Sequence, residues 1–148
     1  MRPLILLLFL LLSSPLARAQ ATDQEPGYLL LPPSEISRIH GVISSQVEAF
    51  RAGDLETAFS FAAPRIRQVF GTPQVFGQMV EQGYGQIFST LDFEFVELVG
   101  TVQSPVQVVA FTGTDLTTIL AFYFMELQPE GVWRIGGVQI AAAEEQAI

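Results

Sequence analysis

Near Asp92 the spacing of apolar residues changes from a period of about 3.6 to a period of about 2, and this one change constrains the fold more than any other feature of the chain. Ahead of it, Ile36, Ile39, Ile43, Val47 and Phe50 recur at helical spacing. Behind it, β-branched and aromatic residues dominate, with turn residues roughly every ten positions. Helices grouped before strands specify an α+β domain, with N-terminal helices packed on one face of a curved antiparallel sheet of about four strands, cone-like in outline. The strands are expected near 92–99, 105–112, 117–127 and 132–141. Gly100-Thr101, Gly113-Thr114-Asp115 and Pro129-Glu130-Gly131 supply the turns between them.

The helical half carries its own punctuation. Ser34 is expected to cap a first helix that Gly53 closes, and Asp54 to cap a second, with Leu55, Ala58, Phe59 and Ala62 as its apolar stripe. Arg65 to Phe70 adds one or two further turns. Thr72-Pro73, a cap followed by proline at the first helical position, opens a helix whose apolar face is Val75, Phe76, Met79 and Val80, with Gly83-Tyr84-Gly85 beyond its end. Gly136-Gly137 reads as a bulge in the last strand.

The first 19 residues have the order of a secretory signal peptide: Arg2, an apolar run from Leu4 to Leu12, a break at Ser13-Ser14-Pro15, and the small-x-small site Ala17-Arg18-Ala19. Cleavage after Ala21 is the near competitor. The run is about half the ~20 apolar residues a membrane span needs, so a leader is expected rather than an anchor, with no membrane attachment after cleavage and a periplasmic or secreted destination. Residues 20–33 then form a flexible arm whose Tyr28 to Leu31 stretch is apolar enough to lie against the body. Residues 34–141 form the single α+β domain, and 142–148 a frayed tail.

Charge and cysteine usage exclude several functions. The chain has seven basic residues, none of them Lys, against fifteen acids, a net charge of −8. Two of the arginines, Arg2 and Arg18, lie in the leader, while every acid follows it. An acidic surface without a basic cluster repels phosphate backbones, so nucleic acid is not an expected partner. There is no cysteine, hence no disulfide framework and no thiolate chemistry.

Gln46-x-x-Ala49-Phe50, Asp54-x-x-x-Ala58-Phe59, Phe70-Gly71-Thr72-Pro73-x-x-Phe76, Met79-Val80 with Tyr84, and Gln128-Pro129-x-Gly131-x-Trp133-Arg134-Ile135 together resemble the bacterial domain of unknown function 4864 family. The likeness runs from Ile39 to Ile140 and departs from the family pattern at Gly85-Gln86-Ile87-Phe88-Ser89-Thr90. That family resembles a divergent branch of the nuclear-transport-factor-2-like, or cystatin-like, fold. The resemblance implies a cone of helices over a curved sheet, an architecture that elsewhere holds isomerases, dehydratases and non-catalytic binding or dimerisation domains. It lends a fold and no activity.

Chemistry-bearing residues are few. His40, the one histidine, is the obvious general-base candidate, but it falls inside the apolar stripe of the first helix, where a buried histidine bonded to a polar neighbour is the commoner arrangement. Among the carboxylates, Asp54 and Asp115 have capping and turn duties. Glu94, Glu97 and Glu126 lie in strands, and Glu126, which shares a face with Phe122 and Phe124, is the second catalytic candidate. One histidine without cysteine supplies no metal cluster, and no pattern calls for a cofactor. Tyr84, Tyr123, Trp133 and Arg134 are candidates to line a ligand pocket with apolar walls and polar tips. The residues point to non-catalytic binding of a small apolar ligand or protein partner, with a cofactor-free isomerase or dehydratase using a carboxylate or His40 as the alternative. The two separate on whether a titratable group faces the cavity.

The third strand, Ile119 to Leu127, is apolar on both faces, and one layer of helices covers only one of them. The Leu120, Phe122 and Phe124 face is therefore expected to form a homodimer contact, or to be covered by the Tyr28–Leu31 arm.

Overall fold

The computed structural model describes residues 30–142. The expected signal peptide, most of the arm and the tail beyond Ala142 lie outside those residues. Four helices precede four strands: α1 (Pro33–Arg51), α2 (Leu55–Ser60), α3 (Pro64–Phe70), α4 (Pro73–Phe88), then β1 (Thr90–Gly100), β2 (Pro105–Gly113), β3 (Thr118–Leu127) and β4 (Trp133–Ala142). The strands form an antiparallel meander in the order β1-β2-β3-β4, so the domain is α+β as the change of period requires. None of the described helices is long and apolar enough to cross a membrane.

Two helix ends follow the expected chemistry. Asp54 accepts the Thr57 N–H at 3.0 Å and Thr72 accepts the Val75 N–H at 3.2 Å, each satisfying a first-turn donor that has no partner within the helix. Two ends differ. Ser34 is not the cap of α1: Pro33 takes the first helical position after Pro32, because a residue without an N–H costs nothing where that donor would go unused. Nor does α4 stop at Gly83. It bends at Tyr84, whose φ of −139° and ψ of 33° are non-helical, and continues to Phe88. Ile87 is buried, and the ring of Phe88 lies 4.9 Å from that of Phe50, so packing of the last turn outweighs the weak helix propensity of two glycines.

The core lies between the helices and the inner face of the sheet. Ile39, Ile43, Val47 and Phe50 of α1 meet Val109 and Phe111 of β2, Ala121, Tyr123 and Met125 of β3, and Trp133 and Ile135 of β4. In β3 the alternation is now resolved: Ala121, Tyr123 and Met125 are buried, whereas Leu120 and Phe122 are half-buried and Phe124 is exposed. The outer face is thus the one expected. At the free edge of the sheet, Ile135 donates to Phe61 O and accepts from Ala63 N–H, both at 2.9 Å, so the α2–α3 link occupies part of that edge. The register slips at Gly136, opposite Phe124 and Met125, which is the expected bulge.

Candidate functional site

Between α1, α3, α4 and β4 lies a cavity of about 230 Å³. Its floor is buried and apolar: Phe50 from α1, Phe76, Val80 and Ile87 from α4, and Ile135 from β4. Its rim, made by Ile66, Phe70, Met79, Tyr84 and Val138, is half-buried. On this side the wall is α3, which has no fully buried side chain but packs Ile66 and Phe70 against the core, and the link before it is held to β4 by the backbone bonds of Phe61 and Ala63 to Ile135. The bend in α4 carries Tyr84 to β4, where its hydroxyl donates to Val138 O at 2.9 Å.

Two polar tips reach this apolar space. Gln46 is 3% exposed and donates its amide to Ala58 O at 3.1 Å, while its carbonyl oxygen takes no bond from the described residues. The Tyr84 oxygen keeps acceptor capacity after donating to Val138. Both tips therefore suit a ligand carrying an N–H or O–H. Among the described lining residues there is no carboxylate, imidazole, amine or guanidinium.

The expected site residues are dispersed. Tyr84 is the one of the four candidate ligand-binding residues that lines the cavity. Trp133 and Arg134 line a separate, shallower recess of about 310 Å³ with Arg38, Val42 and Phe61. In that region the Trp133 indole donates to Glu35 Oε2 at 2.7 Å, and Arg38 donates to Glu35 Oε1 at 2.9 Å. These bonds hold the Glu35 carboxyl below its ordinary value of 4.5, the indole being the larger cause and the Arg38 bond the second. Tyr123 lines neither space. It is fully buried, its hydroxyl has no partner among the described residues, and burial pushes its phenol well above the ordinary range.

His40 and Glu126 do not face the cavity either. The His40 ring stacks on Phe95, centroids 3.7 Å apart and planes 6° from parallel, and its Nε2 lies 3.0 Å from Gln107 Oε1. Gln107 is 2% exposed and donates its amide to Glu97 O and Val108 O, both at 2.9 Å, so its oxygen must accept and His40 Nε2 must carry the proton. Glu126 is exposed on the outer face, with its carboxylate over Gly136. Among the described residues no three His, Cys, Asp or Glu side chains come together as metal ligands would.

Sequence reasoning missed Gln46 and Gln107. Their signal was present: Gln46 stands between Ile43 and Phe50 on the buried stripe of α1, and Gln107 alternates in register with Val109 and Phe111. A polar residue at a core position needs a partner, and here each finds backbone carbonyls.

In comparison with known proteins, a family model described as "Domain of unknown function (DUF4864)" matches residues 34–148. No curated protein and no solved structure matches the chain.

Proposed function

For this chain, which belongs to the DUF4864 family, we propose a binding role: it captures a small, largely apolar ligand in the cavity between α1, α3, α4 and β4 and does no chemistry on it. One observation carries the reading. The cavity's described lining is apolar apart from Gln46 and Tyr84, and it presents no group able to exchange a proton near neutrality, which a cofactor-free isomerase or dehydratase requires. An apolar cavity of ~150 Å³ accommodates a benzene-sized molecule. About 230 Å³ therefore suits a ligand of roughly ten heavy atoms with one donor group for Gln46 or Tyr84.

The leader-like order of the N-terminal sequence fits the same reading. The leader-like first 19 residues would deliver the domain to the periplasm or exterior, where a binder meets ligands directly. Native mass spectrometry of protein purified from its own host tests the role. A co-purifying small mass, lost on mild activation, is the expected result. Turnover of a bound compound would move the assignment to an enzyme.

A further inference from the structure

We propose that the outer face of the sheet is a self-complementary interface, on which two copies of this chain dock about a two-fold axis that runs parallel to the strands between β2 and β3. The proposal is independent of the cavity, which lies on the opposite side of the sheet.

The argument starts from the register. On the outer face, small residues of β2 stand beside large residues of β3 at the same heights: Val106 beside Phe124, Val108 beside Phe122, Ala110 beside Leu120. A column of small side chains thus runs alongside a column of large ones. Rotating a second copy by 180° about an axis between the columns lays its Leu120, Phe122 and Phe124 over the first copy's Ala110, Val108 and Val106, and the reverse. Large meets small along both columns, as interdigitating sheets require.

The flanking strands obey the same operation. The rotation places β1 of one copy over β4 of the other. By register, Val99 then faces Gly137, Glu94 faces Ala141, and Glu97 faces Gln139, whose amide can donate to a carboxylate. The other face-to-face arrangement, with the axis across the strands, lays β1 over β1 and β3 over β3. It opposes the Glu94 and Glu97 carboxylates of two already acidic chains and stacks phenylalanine on phenylalanine, so charge and shape both disfavour it.

The area suffices. Four strands about 4.8 Å apart, each contributing about ten residues at roughly 3.3 Å, give an outer face on the order of 600 Å². Two copies then bury on the order of 1,200 Å², the lower bound for a stable specific interface. The middle of the face is apolar, a half-buried Phe122 beside a Val108 that its neighbours already cover, Phe124 and Val99 are exposed by 38% and 37% at one end of it, and the acids stand at its margin.

Cross-linking distinguishes the arrangements because the chain has no cysteine of its own. In the double variant Glu97→Cys with Gln139→Cys, the two thiols of one copy sit three strands apart, about 14 Å, while each faces the other's counterpart across the interface. A short bismaleimide should convert this variant to a covalent dimer, and either single variant should form no covalent dimer. Light scattering should give twice the chain mass for the wild type. Phe124→Asp should weaken association on the order of a hundredfold or more with an unchanged circular dichroism spectrum. A wild type that remains monomeric at high concentration overturns the proposal and leaves the N-terminal segment as the cover. Cross-linking of Glu97→Cys alone overturns the axis. Should Phe124→Asp unfold, the cross-linking pattern decides the question by itself.

Discussion

The Tyr84 hydroxyl donates to the Val138 carbonyl at 2.9 Å, tying the bend of α4 to the edge strand of the sheet at the rim of the cavity. The bond compensates a local cost, since Tyr84 interrupts the helix between two glycines and its non-helical φ and ψ forfeit regular pairing there.

Tyr84→Phe keeps the ring and removes the bond. Stability should fall by about 1 kcal/mol, the usual net worth of a hydrogen bond with partly accessible partners. Amide exchange should rise in Gly85 to Phe88, the turn the bond anchors, while α1 stays protected. Uniform loosening of the whole domain would show that Tyr84 does no more than pack.

His40→Gln tests whether the lone histidine is structural. Glutamine preserves a donor for Gln107 Oε1 but loses the stacked ring on Phe95, so a loss on the order of 1 kcal/mol is expected. Ligand capture should not change, because His40 does not line the cavity. Loss of binding or of turnover at unchanged stability would place His40 in a functional site.

Much of the fold was legible because hydrophobic period and turn chemistry are local signals. The change near Asp92, the Asp54 and Thr72 caps and the Gly136 bulge each rest on a few neighbouring residues. What failed was decided by contacts distant in sequence. Gly83 and Gly85 read as a stop, yet the burial of Ile87 and the packing of Phe88 on Phe50 hold the helix past them. The site was harder still. Tyr84, Tyr123, Trp133 and Arg134 each carry a polar tip on a longer side chain, but strand register and the bend of α4 distribute them among a cavity, the core and a separate recess, and no spacing along the chain encodes that division.

Acid should loosen the tie that Glu35 makes between α1 and β4. The folded-state value of Glu35 is depressed, so its bonds to Trp133 and Arg38 contribute stability above the ordinary value of 4.5, and that contribution is lost as pH falls through the lower folded value. Asp54 and Asp115 are depressed in the same sense by Thr57 and Thr117, below an ordinary 3.8. The chain has a single tryptophan, Trp133, which is 2% exposed and bonded to Glu35, so its emission reports this contact. The emission should hold constant from neutral pH to about 4.5 and shift only below it, and Glu35→Gln should weaken that dependence. A transition centred above pH 6 would implicate another group.

Titration of the purified protein with 1-aminonaphthalene, a bicyclic apolar amine with one N–H₂ donor, measures cavity occupancy directly through the probe's emission. Saturable uptake at one site per chain is predicted. Ile66→Trp, which fills the rim from a half-buried position on α3, should weaken it at least about tenfold, a loss of about 1.4 kcal/mol. His40→Gln should leave uptake unchanged. Absence of saturable uptake, or equal uptake by wild type and Ile66→Trp, would contradict a binding role for this cavity.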